Sequence, residues 1–220
     1  MAPSLADLTR VGRVSFTGFP VAALDFYDDL EMDNTKSFWE AHRAVWAESV
    51  RAPMTALVAD LEAEFGSAKV FRPYRDVRFA KDKTPYKTHQ GAFVAVAPHT
   101  GWYVQVSAAG VRTSAGFYSA EGAQLAAFRT AVAEERRGTE LEGILATLAG
   151  EGLEISGEQL KTAPRGYDRE HPRIGLLRHK QLFVGRELGF EPVVHTPELL
   201  DLVRDDWRTT RPLVEWLARI

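Results

Sequence analysis

The chain has no cysteine, which excludes disulfides, thiolate metal sites and thiol catalysis together. Nor does it contain an uncharged apolar run near the length needed to cross a bilayer. The N-terminal stretch MAPSLADLTRVGRVSF lacks a continuous apolar core and a small-residue cleavage pattern, so a cytoplasmic protein is the expectation. Repeats, low-complexity tracts and evident linkers are missing too. So are the two glycine-rich loops that cradle nucleotide phosphates, G-x-x-x-x-G-K-[ST] and G-x-G-x-x-G. No G-x-S-x-G elbow offers a nucleophilic serine. Among the six histidines (His42, His89, His99, His171, His179 and His195) no H-E-x-x-H pair occurs. Each is better explained as a surface, capping or hydrogen-bonded core residue. No metal is expected, and the sequence names no cofactor.

What remains is an ordinary globular composition, 45% hydrophobic and 26% charged over 220 residues, enough to bury a sizeable core without staples. Residues 1–15 are expected to form a loose leader. From Phe19-Pro20 onward Val21, Leu24, Phe26, Tyr27 and Leu30 fall at helical spacing. Asp33-Asn34-Thr35 stops that helix and caps a second, through Phe38, Trp39, His42, Val45 and Trp46. A third helix carries Met54, Leu57, Val58, Leu61 and Phe65 and ends at Gly66; Pro53 either opens it or kinks one long helix.

At Lys69 the period changes. Ala92–Ala97 is a strand, Pro98–Gly101 a turn, and Trp102, Val104 and Val106 alternate with Tyr103, Gln105 and Ser107. Gly110–Tyr118 adds a third antiparallel strand. Helices return over 120–136 and again from Thr139, where Thr139-x-x-Glu142 has the form of a capping box. A short hairpin or strand with a turn at Gly157 follows, then a strand over Gln181–Leu188. Thr196-Pro197-Glu198 caps a C-terminal helical region. The five tryptophans (39, 46, 102, 207 and 216) read mostly as core. The fold class is α+β, a single domain over 16–220 with a central antiparallel meander packed with several helices.

One segment stands apart. Lys69–Lys87, KVFRPYRDVRFAKDKTPYK, holds seven Lys/Arg against two acids, net +5 on a chain that is net −3 overall. Like charges at that density repel, so an anionic ligand, acids from elsewhere or plain hydration must offset them. Arg grips carboxylate or phosphate through two parallel hydrogen bonds, and Lys adds a mobile point charge. The candidate anion-binding set is Arg72, Arg75, Arg78, Lys81, Lys83, Tyr86 and Lys87, with guanidinium groups stacked on Phe71, Tyr74 or Phe79. The turn Asp82–Tyr86 would present Lys81, Lys83 and Lys87 together. The competing expectation is an ion-pair network to acids on the first helices, Asp25, Asp28, Asp29, Glu31 and Glu40. A second basic stretch, 161–180, would add Arg165, Asp168, His171 and Arg173 around the first, with Asp76 in support. There Gly166 answers to a positive φ or a close backbone approach.

The run Arg75-Asp-Val-Arg-Phe-Ala-Lys-Asp-Lys-Thr-Pro-Tyr-Lys87 closely resembles the central motif of a bacterial family known as domain of unknown function 2461. Asp33–Trp39, Gly101–Val106 and Pro164–Asp168 with His171-Pro172 fit its pattern, and the resemblance covers roughly residues 16–218. Ala80 stands where the family commonly has serine, which argues against a nucleophile there. The resemblance implies the fold and the place of the site, and it supplies no catalytic assignment.

Four readings follow. The first is binding of a small phosphate- or carboxylate-bearing ligand. The second is an enzyme on a phosphorylated or nucleotide-like substrate, with Asp76 or Asp168 as acid/base or metal ligand. A third, nucleic-acid binding, is opposed by the acidic balance, with a pI near 6.1. A structural or partner-binding domain is the fourth. Oligomeric state is not legible.

Overall fold

The computed structural model describes residues 15–78, 81–118 and 122–220. The expected leader, Ser15 apart, lies outside them. Pro20, in an extended conformation, delivers the chain into helix α1 (Val21–Met32), which buries Ala23, Leu24, Phe26, Tyr27 and Leu30. Thr35 caps α2 (Lys36–Val45) by accepting the Phe38 amide on its side chain. The chain does not then stop at Pro53. It passes through a π-helical segment (Trp46–Arg51) directly into α3 (Ala52–Phe65), and proline sits in the first turn of α3, where no amide donor is needed. Gly66, at φ 93°, ends the helix as expected.

Among the described residues the sheet has six strands: β1 (Ala68–Val70), β2 (His89–Ala97), β3 (Thr100–Ser107), β4 (Gly110–Phe117), β5 (Glu154–Ser156) and β6 (Leu182–Gly189). Every pairing is antiparallel, in the order β1-β2-β3-β4-β6-β5, so the first four strands form the expected meander. His99, at φ 55°, makes the β2–β3 turn tighter than the four-residue turn expected.

Register fixes which side chains share a face. Ala92, Val94, Trp102, Val104, Val106, Val111, Ala115, Phe117, Leu182 and Val184 all point one way and meet the helices. There they join two apolar clusters. The first is built with α1, α3 and α7 (Leu199–Thr209). The second takes α4 (Gly122–Ala133), α5 (Glu135–Gly150) and α6 (Ile174–Leu177). Helix α8 (Arg211–Ala218) gives Val214 to the first and Leu213, Trp216 and Leu217 to the second. All five tryptophans are buried. The result is an α+β single domain with helices on one face of the sheet.

Two local expectations are corrected. Thr139 does not cap a helix. Helix α5 begins four residues earlier, where the Glu134 carboxylate accepts the Arg136 and Arg137 amides at 3.0 and 3.1 Å. The Thr139 hydroxyl is instead taken by Arg173, 2.8 Å away. Likewise the Thr196 hydroxyl donates back to the Val193 carbonyl, because a 3-10 turn (Pro192–His195) precedes it, and α7 begins only at Leu199.

Candidate functional site

Residues 71–87 leave β1 and return to β2 as a long loop drawn together at its base. The Arg75 amide donates to the Pro85 carbonyl and the Lys87 amide to the Pro73 carbonyl, each at 2.8 Å. Two side chains from the α1–α2 region lock this base. Asn34 brackets the Tyr86 backbone, donating to its carbonyl at 3.0 Å and accepting its amide at 3.1 Å. Trp39 stacks flat on the Tyr86 ring, with centroids 4.4 Å apart and planes within 10°. The Asp33–Trp39 segment and the Arg75–Lys87 motif are therefore two halves of one junction. Tyr86 is spent on this packing, and burial raises its pKa.

Arg75 and Arg78 find their acids inside the loop. Arg78 makes a two-pronged pair with Asp76, at 2.9 and 2.7 Å. That hydrogen-bonded guanidinium holds the Asp76 carboxyl below the ordinary range. Arg75 reaches Asp82 and Thr84. Asp82, whose Oδ1 also accepts the Thr84 amide at 2.9 Å, closes the expected turn. Among the described residues the helix acids Asp25, Asp28, Asp29, Glu31 and Glu40 supply no ion pair to it, because the shorter local loop closures are available first. Lys83 curls back to the Val77 carbonyl at 2.8 Å, and Lys81 stands in solvent, so Lys81, Lys83 and Lys87 do not converge. Phe79, expected as a stacking partner, and Ala80 lie outside the described residues.

Asp82 has its carboxyl pKa drawn down to about 2 by the Thr84 amide and then by Arg75. A depressed carboxylate favours the folded loop above its unfolded pKa near 4, and that contribution is lost as pH falls through its folded value. An NMR titration of the Asp82 carboxyl should therefore show its midpoint near 2, with the Thr84 amide shifting in step. A midpoint near 4 would mean the turn is open in solution.

Besides the exposed Lys81, three cations are left over, Lys69, Arg72 and Lys87. Lys69 and Lys87 lie against the Phe71 ring, 5.9 and 5.1 Å from its centroid, so the aromatic ring is held by ammonium groups and not by guanidinium. Arg72 is close enough to lower the Lys87 pKa. Among the described residues no carboxylate is within ion-pair distance of any of the three. Of the three, Lys87 lines a cavity of about 350 Å³ on the sheet face away from the helices, and the charges of Arg72 and Lys69 act on it from nearby. Phe71, Phe93, Tyr103, Tyr118 and Phe183 form its apolar walls, with Lys87, His89 and Arg112 among its polar groups.

Its shape comes from glycine. A Cβ on Gly91 would sit 2.3 Å from the Tyr103 hydroxyl oxygen, so only glycine lets that ring lie across the neighbouring strand. The Tyr103 hydroxyl donates to Gln105 at 2.9 Å, and burial pushes its pKa up to about 12. Burial, assisted by Lys87, lowers the His89 pKa, so its imidazole is neutral at pH 7. Arg112 is paired across strands with Glu187 at 3.2 Å.

The second basic stretch does not meet the first. It connects β5 to β6 at the opposite edge of the sheet, and no hydrogen bond or ion pair among the described residues joins the two. Arg165 is exposed, Asp168 accepts the Glu170 amide at 2.9 Å, and His171 accepts the Arg173 amide at 3.0 Å. Arg173 is buried, bonded to Glu142 at 2.8 Å and to Glu135 at 3.0 Å. Gly166 does adopt the positive φ its position requires, 89°. Among the described residues no three acidic or histidine side chains converge to hold a metal ion, and no helix is long and apolar enough to cross a membrane.

Sequence reasoning missed the cavity. Its signal was present in the outward-facing positions of the strands, where Gly91, Gly101, Gly116 and Gly185 alternate with aromatic residues.

A one-sided α+β sheet with a pinned basic loop at its edge is the structural class to which these features belong. The chain is a member of the family described as conserved hypothetical protein (DUF2461), whose model matches residues 22–216. No curated protein matches it.

Proposed function

We propose that the protein is a cytoplasmic binder of a small anionic ligand with a flat apolar body, seated in the cavity on the open sheet face. Lys69 and Lys87 against Phe71, with the charge of Arg72 acting on Lys87 and no acid paired with any of the three among the described residues, carry this reading. An anion there would relieve their mutual repulsion, and aromatic walls suit a ring or another planar group. The share of the central motif in binding is thereby divided. Arg72 and Lys87 face the ligand. Arg75, Arg78, Lys83 and Tyr86 hold the loop that presents them, and Lys81 stays at the periphery.

A thermal-shift panel of aryl and nucleoside phosphates tests this. Ligands combining a ring with a phosphate should raise the melting temperature by several degrees. The double change Lys69→Ala/Arg72→Ala should remove the rise, and Arg78→Ala should keep it. No shift with any anion, or a shift lost in Arg78→Ala but kept in the double variant, overturns the reading.

A further inference from the structure

We propose that Lys87 is a carbonyl-reactive amine, condensing with the aldehyde or ketone group of a small anionic compound seated in the cavity. The proposal rests on the binding reading and names the ligand class as carbonyl-bearing anions. It goes beyond that reading by giving the site chemistry.

The setting of Lys87 differs from that of the paired lysines. Lys36 pairs with Glu40, Lys180 with Glu158, and Lys83 donates to a backbone carbonyl. Lys87 is half-buried against the Phe71 ring, with no hydrogen bond or ion pair from its ammonium among the described residues. Its backbone is fixed, since its amide donates to Pro73 at the loop base, so the stem enters the cavity from an anchored point. Desolvation by the cavity walls favours the neutral amine, and the neighbouring charges of Arg72 and Lys69 favour it further. A desolvated lysine beside other cations is the usual arrangement for an amine nucleophile, since only the neutral form has a free lone pair. His89 lines the same cavity, and burial lowers its pKa as well.

In the step itself the Nζ lone pair attacks the carbonyl carbon, forming a C–N bond as the C=O π bond opens to a hydroxyl. The carbinolamine then expels that oxygen as water, which carries off both amine hydrogens, and the C=N bond closes. No oxidant or further reactant is needed. Arg72 and Lys69 remain available for the carboxylate or phosphate of the same molecule.

Pyridoxal 5′-phosphate joins an aromatic ring, a phosphate and an aldehyde, and pyridoxine 5′-phosphate is the same body without the carbonyl. The wild-type protein is incubated with one equivalent of the aldehyde, reduced with borohydride and mapped by mass spectrometry. Lys87 should carry the adduct several-fold more than Lys36, Lys81, Lys83 or Lys161. Lys87→Arg should lose that adduct, and the wild-type protein should show a melting shift with pyridoxine 5′-phosphate. Labelling spread evenly over the lysines, or unchanged total labelling in Lys87→Arg, overturns the proposal. If pyridoxine 5′-phosphate shifts the melting temperature but Lys87 is not labelled, the amine chemistry falls and the binding reading stands. If it gives no shift while Lys87 is labelled selectively, the reactive amine stands and the anion site falls.

Discussion

Replacing Trp207 with alanine is expected to cost about 3–5 kcal/mol of folding stability, read as a lowered urea midpoint with an unchanged slope. Trp207 is fully buried between α7 and the sheet. It lies edge-on to Phe65 at 5.2 Å and is stacked with Trp102 at 6.3 Å. The Trp102 indole donates to the Trp207 carbonyl at 2.9 Å, and the Trp207 indole reaches the Tyr103 carbonyl at 3.4 Å. Removing the ring leaves a void bounded by rigid aromatics that cannot close on it. Because it buttresses the strand carrying Tyr103, the loss should also loosen the opposite face. A cost below about 1 kcal/mol would mean that α7 collapses onto the sheet freely.

The second large effect is on binding. Gly91→Ala should weaken any ligand of the open face more than about tenfold while changing stability little. The new methyl group would meet the Tyr103 hydroxyl oxygen at 2.3 Å and two ring carbons at 2.6 and 2.7 Å. The strand backbone is held on both sides by β1 and β3, so the ring must move. It can only swing outward, breaking its bond to Gln105 and filling the cavity. Isothermal titration against the best ligand of the phosphate panel, alongside a melting curve, separates the two effects. Unchanged affinity in a folded Gly91→Ala protein would place the ligand elsewhere.

Much of the architecture was legible because it depends on local rules. The helical spacing of Leu24, Tyr27 and Leu30, the cap at Thr35, the stop at Gly66 and the alternation of Trp102, Val104 and Val106 each follow from short-range chemistry. Thr139 misled because a threonine three residues before a glutamate looks the same whether it caps a helix or serves a buried arginine 34 residues away. The basic loop was found by charge alone. How its charges divide was not, since Arg78 and Asp76 pair across two residues while Lys69, Phe71 and Lys87 meet only after the loop closes. The cavity was the least legible part. Phe71, Phe93, Tyr103, Tyr118 and Phe183 come from separate segments, and only sheet register brings them together.

The wide turn at Trp46–Arg51 has a geometric consequence. A π-turn takes in one residue more than an α-turn, which rotates everything beyond it by roughly 100° about the rod axis. Upstream, Trp39 is aimed at Tyr86 and so at the loop; downstream, Leu57, Leu61 and Phe65 are aimed at the floor of the sheet. One continuous rod thereby faces two surfaces that an unbroken α-helix would present out of phase.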